Sequence, residues 1–200
     1  MNPNYINIHK PHAVSIFSKR FEEVLLDNIH DGYSEIIILC VGTDRSTGDS
    51  LGPLVGHRLR YANDGNIQVY GTLEEPVHAK NLKGIVTKIG DSYTNPFIIC
   101  VDACLGKAEN VGCISTGVGP IIPGAGVNKR LPAIGNVHIM GIVNVGGFME
   151  HVILQNTRLS LVMKMADIIS AGISYNLTKY PLKTLKGQTV KTEGCKFCSQ

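Results

Sequence analysis

Two aspartates follow long apolar runs. Ile36-Ile37-Ile38-Leu39-Cys40-Val41 leads through a polar loop to Asp49, and Phe97-Ile98-Ile99-Cys100-Val101 ends directly at Asp102. Runs without polar alternation are strands covered on both faces, and parallel strands deliver the residues that come after them to one edge of the sheet. Two carboxylates meeting there cannot both ionise cheaply, so one holds a proton to donate while the other accepts one from water. That pairing suits peptide hydrolysis. The plainer alternative is that Asp49 caps the helix beginning near Leu51 and Asp102 forms a turn.

Other residues of chemical type cluster around these two. Cys104 lies two positions past Asp102 and would be a nucleophile if His78 or His138 came near it; otherwise it packs as a small buried thiol. Lys129 and Arg130 could hold a substrate carboxylate or simply be solvated charges. Asp44 and Arg45 could shape the approach to Asp49, and Glu74 and Glu75 could add a third carboxylate at the same edge. His57 reads as a surface residue. Cys195-x-x-Cys198 has zinc-knuckle spacing but no second pair beside it, which favours a plain tail over a metal or a regulatory disulfide. The loop from Gly42 to Pro53 lacks the Gly-Lys-Ser/Thr ending of a phosphate loop, and the Gly pairs at 117–119 and 124–126 lack dinucleotide-binding spacing, so no cofactor is expected.

These residues must be held by a regular scaffold. Apolar residues at helical spacing from Val14 to Ile29 predict a helix before the first run, and Leu51, Leu54, Val55 and Leu59 predict another, with Pro53 in its first turn. Residues 67–72 read as a short strand, 79–89 as a weaker helix, 112–119 and 137–145 as strands, and 150–173 as one long helix. Residues 120–132 read as a Gly- and Pro-rich loop. Strand and helix alternate, which predicts a three-layer α/β domain with a largely parallel central sheet and a site at the carboxyl ends of its strands.

The chain has 200 residues, 44% hydrophobic and 18% charged, which fits one domain over 1–176 followed by a polar tail over 177–200 and excludes disorder throughout. A net charge of +3, no Trp and 6% aromatic residues argue against a nucleic-acid partner. The apolar runs fall well short of the ~20 residues that span a bilayer, so no membrane partner is expected. The first ten residues lack an apolar signal core, which predicts a cytoplasmic chain with reduced cysteines. A peptide or protein substrate is the expected partner, and association into a homo-oligomer is left open.

Several of these residues also carry a family resemblance. The ending Gly48-Asp49-Ser50-Leu51-Gly52-Pro53 resembles the first aspartate block of the bacterial spore germination proteases, and Val101-Asp102-Ala103 resembles their second. Pro123-Gly-Ala-Gly-Val-Asn-Lys-Arg130 is similar to a third block. Over about residues 36–173 the chain more closely resembles the sporulation protein family YyaC, a relative of those proteases. The resemblance implies a phosphorylase/hydrolase-like α/β fold of the HybD type, shared with hydrogenase maturation endopeptidases. It also implies catalytic roles for Asp49 and Asp102, in the cytoplasm of a sporulating cell or the spore core. The maturation enzymes use two carboxylates and a histidine to sense nickel. Asn144 stands where the resemblance places that histidine, with His138 on the same strand as a substitute, so no bound metal is expected. The resulting expectation is an aspartate-dependent endopeptidase. The alternatives are a catalytically silent peptide- or protein-binding sporulation protein and a metal-sensing maturation-type peptidase.

Overall fold

The computed structural model describes residues 5–61, 65–123 and 132–182. In chain order the elements are β1 (Tyr5–Asn7), α1 (Ala13–Asn28), β2 (Ile36–Cys40), α2 (Leu51–Leu59), β3 (Ile67–Tyr70), α3 (Leu82–Ser92), β4 (Phe97–Gly106), β5 (Cys113–Val118), β6 (Val137–Val145), α4 (Glu150–Gln155) and α5 (Leu159–Lys179). The strands form one mixed sheet in the order β1-β5-β6-β4-β2-β3. β6, β4, β2 and β3 are mutually parallel, whereas β5 and β1 run antiparallel to their neighbours.

The all-apolar sequence of β2 matches its central place. Ile36, Ile38 and Cys40 join one apolar cluster with Phe17 of α1, Val55 of α2 and Ile169 of α5. Ile37 and Leu39 join a second with Leu82 and Ile89 of α3. With both faces buried, every position is apolar and no polar alternation survives. α1 and α5 pack closely: a Cβ on Gly172 would lie 2.4 Å from the Phe17 ring. Among the described residues no helix is long and apolar enough to cross a membrane.

The α/β expectation holds, with four differences in detail. β1 is not visible as a periodic pattern, because three residues with only Ile6 buried become a strand through antiparallel pairing with β5. β4 does not stop at Asp102 but runs on to Gly106, because Ala103 to Gly106 continue to pair with β6. The long helix expected over 150–173 is two helices. Arg158 is extended at φ −68°, ψ 119°, and the buried Thr157 turns its hydroxyl back to the Ile153 carbonyl at 2.9 Å. Finally, the expected boundary after residue 176 falls inside α5. Asn176 is fully buried and its amide donates to the Ser18 carbonyl at 2.9 Å, and Leu177 and Leu182 beyond it are buried as well.

Candidate active site

Asp49 sits on a single 3-10 turn, Gly48–Ser50, that joins the loop after β2 to α2. Backbone crowding places it there. Gly42 has φ +142°, and a Cβ on it would lie 1.9 Å from the Asp49 carbonyl oxygen; one on Gly52 would lie 2.0 Å from the Val41 carbonyl oxygen. Only glycine permits both approaches. Thr43 N–H donates to the Asp49 carbonyl at 3.1 Å, and the Ser50 hydroxyl donates to the Thr47 carbonyl at 2.7 Å. α2 receives no side-chain cap, so Asp49 is not the N-cap that its position suggests.

Around the Asp49 side chain, burial pushes the carboxyl above the ordinary value of 3.8, against the opposing pull of the Thr43 N–H and of His78. His78 reaches this point through the sheet. Val77 bridges Val41 in parallel, and Gly42 N–H donates to the Val77 carbonyl at 2.8 Å. Asn81 Oδ1 accepts the His78 N–H at 2.8 Å, while the imidazole Nδ1 is buried without a hydrogen-bond partner. Sequence reasoning considers His78 only as a partner for Cys104. The signal that could have found it here is Val77, an isolated apolar residue able to re-enter the sheet.

Asp102 is 4% exposed and lies one residue beyond the last β2–β4 pair, Cys40↔Val101. At this step in the sheet β2 ends and β4 goes on, still paired with β6 through Asp102↔Met140. The Asp102 Oδ1 accepts the Ala103 N–H at 2.8 Å. Asp102 shares its strand face with Cys100 and Cys104, and its charge, added to burial, raises both thiols, Cys104 to about 11. Cys104 is therefore an un-ionised thiol at neutral pH, in line with the simpler expectation. The turn carrying Asp49 packs on β4, on α4 and on α5, so both aspartates belong to the carboxyl edge of the parallel strands.

Asn144 serves that edge as a brace. Its amide donates to Thr157 Oγ1 at 3.2 Å and to the Ile153 carbonyl at 3.3 Å, and its Oδ1 accepts the Val145 N–H at 2.9 Å. Thr157 and Leu154 in turn press on Gly48, where a Cβ would lie 2.8 Å from each side chain. A line of contacts thus runs from Asn144 through the end of α4 to the turn that carries Asp49. His138 pairs with Cys100, two rows, or about 7 Å, back from Asp102, and its Nδ1 is hydrogen-bonded to the Gly119 carbonyl at 2.9 Å. Among the described residues no three His, Cys, Asp or Glu side chains are grouped to hold a metal ion.

The remaining candidates lie outside this centre. Glu74 is exposed and pairs with His57 at 3.1 Å, so it supplies no third carboxylate to the edge. Glu75 lines a groove beside β3 together with His78. Asp44 accepts the Thr43 hydroxyl at 3.4 Å, and Arg45 N–H donates to the same hydroxyl at 3.3 Å. Lys129 and Arg130 lie outside the described residues, as do Cys195 and Cys198.

The comparison with protein-family models decides the relationship: residues 6–172 match the family described as "Protein of unknown function (DUF1256)". The chain belongs to the DUF1256 family. The match takes in β1 through most of α5 and both aspartates. The uncharacterized protein YyaC of Bacillus subtilis (strain 168) is 49% identical over 164 residues, which cover 82% of this chain and 80% of YyaC. Among solved structures, the [NiFe] hydrogenase maturation protease HycI from Thermococcus kodakarensis KOD1 is similar with a TM-score of 0.51 at 17% identity. That likeness covers 79% of this chain and 98% of HycI. At this identity it is a likeness of fold alone.

Proposed function

We propose that this DUF1256 chain is an endopeptidase that hydrolyses a peptide bond with Asp49 and Asp102, in the cytoplasm of a sporulating cell or the spore core. The observation that supports this reading is that both aspartates lie at the carboxyl edge of the parallel strands, with Asp49 shifted toward its protonated form by burial. A protonated Asp49 suits the general acid that assists departure of the amine, and Asp102 suits the carboxylate that takes a proton from the attacking water. Lys129 and Arg130 are the proposed holders of a substrate carboxylate. The scaffold shared with HycI supports the choice of peptide hydrolysis, and the similarity to YyaC and to the germination protease blocks supports the sporulation setting.

The metal-sensing variant does not fit the donors present. Asn144 has its amide turned to Thr157 and Ile153, His138 stands two rows back from Asp102, and no three donors are grouped among the described residues. A second reading, a peptide-binding protein without turnover, is favoured by the 4% exposure of Asp102, which leaves little of it open to water. The deciding experiment incubates the full chain with small acid-soluble spore proteins from mildly acidic to mildly basic pH and reads the products by mass spectrometry. Asp49→Asn and Asp102→Asn are run alongside. Cleavage by the wild type that each substitution abolishes supports the peptidase. A folded wild type that cuts nothing at any pH moves the conclusion to the binding protein.

A further inference from the structure

The loop after β1 meets the start of α5 across a single glycine. Gly112 has φ +84°, its N–H donates to the Ile142 carbonyl at 2.9 Å, and its carbonyl accepts the Ile8 N–H at 3.0 Å. A Cβ there would lie 3.5 Å from both His9 Nε2 and Leu161 Cδ1, so the imidazole and the first turn of α5 flank the same spot. Lys164 follows Leu161 by three residues and shares its side of the helix. Arg158 stands just before the helix, and its carbonyl accepts the Leu161 N–H at 3.1 Å. Side chains from two distant stretches of chain thus bring two cations and an imidazole together.

They border a pocket of about 600 Å³ whose apolar lining is Val111, Val143 and Leu161. That volume lies within the usual range of small-molecule sites. No Asp or Glu lines the pocket, and among the described residues neither Arg158 nor Lys164 is paired with an acid. Asp167, three residues past Lys164, is held by Arg58 at 2.8 Å. Arginine and lysine donate hydrogen bonds and accept none, so an anion is what would complete this wall. One exposed cation holds an anion weakly, because water and salt compete for both. Two cations and an imidazole around one pocket act on the anion together, while the apolar side takes up an organic body. We infer that this pocket binds a small organic oxyanion, a phosphate monoester or a carboxylate, between His9, Arg158 and Lys164. Asn144 also lines the pocket and braces the turn of Asp49 through Thr157, so the bound molecule sits against that brace. The inference stands independently of the peptidase reading.

The test titrates three probes at constant ionic strength into the ¹⁵N-labelled full-length chain: phenyl phosphate, benzoate and, as an uncharged body, benzyl alcohol. At least one of the two acids moves the amide signals of Gly112, Leu161 and Lys164 and saturates with a Kd below about 1 mM. Benzyl alcohol moves none of them at the same concentrations. The tighter acid identifies the recognised group as phosphate or carboxylate. Arg158→Gln and Lys164→Gln change exposed side chains, so the fold is kept. Each weakens binding about fivefold and the double variant about twentyfold or more. Thermal melts follow the same order, with the acid raising Tm in the wild type and hardly in the double variant. Signals that drift without saturating, as they do with added sodium chloride, overturn the inference. Equal shifts with benzyl alcohol overturn it as well, and so does a folded double variant that binds the acids as tightly as the wild type.

Discussion

Gly42 and Asp49 approach so closely that a Cβ on Gly42 would lie 1.9 Å from the Asp49 carbonyl oxygen. The contact lets Thr43 N–H bond the Asp49 carbonyl while Gly42 N–H bonds Val77, and so it ties the acid-bearing turn to the residue before His78. Gly42→Ala therefore places a methyl group on backbone and asks alanine to hold φ +142°. A loss above about 4 kcal/mol is expected, because the strained φ adds to a methyl group driven into backbone. For a chain this long that lowers Tm by roughly 10 °C or more, measured by calorimetry.

Asp49 links pH to stability in a definite direction. Its carboxyl is raised above 3.8 in the folded chain by burial, so folding favours the protonated form. Its contribution is fully present below 3.8 and is lost as pH rises through the folded value, so at neutral pH the carboxyl weakens the fold. Asparagine keeps the shape and the acceptor for Thr43 without the charge. Asp49→Asn is expected to unfold at a higher temperature than the wild type at pH 7, and the gap to close as pH falls toward 3.8. Thermal melts of both chains across that range check the sign.

Turnover should respond oppositely to the same change. If Asp49 and Asp102 share the acid and base work, each Asn substitution lowers kcat by about 10²–10⁴-fold, the usual weight of a general acid or base. The Asp49 variant would then be more stable and less active, a combination that a merely structural aspartate would not give. Initial rates on a spore-protein substrate, with melting curves of the same samples, measure both.

Asn144→Ala tests the brace. It leaves Thr157 Oγ1 and the Ile153 carbonyl without the Asn144 amide and loosens the end of α4 on Gly48. The expected destabilisation is about 1–2 kcal/mol, the net worth of the lost hydrogen bonds, since the Thr157 hydroxyl keeps its bond to the Ile153 carbonyl. Because Asn144 acts through the position of Asp49, kcat falls while the pH profile keeps its shape.

Cys104 provides a check on the nucleophile alternative. With its thiol raised to about 11, roughly one molecule in a thousand carries a thiolate at pH 8. Alkylation by iodoacetamide, mapped by peptide mass spectrometry, should leave Cys104 unlabelled in the native chain over an hour. Cys104→Ala should retain activity.

Much of this arrangement is legible in the residues alone. The unbroken apolar runs of β2 and β4 announce strands buried on both faces, because nothing polar can be stabilised there, and that brings Asp49 and Asp102, beyond the two runs, to one edge of the sheet. Gly48 to Pro53 likewise carries its turn chemistry in the sequence, since glycines are demanded wherever backbone meets backbone. Where β4 ends is not legible: Asp102 looks like a terminus until β6 is alongside to pair with the residues beyond it. The break between α4 and α5, the three residues of β1 and the burial of Asn176 depend in the same way on partners distant in sequence. His78 is the sharpest case. No local pattern ties it to Asp49, and only the re-entry of Val77 beside Val41 brings the two together. Local sequence determined which segments are strands, helices and tight turns through side-chain burial and glycine sterics. Which residues face one another was decided by long-range pairing, because a hydrogen-bonded neighbour leaves no periodic trace in either partner's sequence.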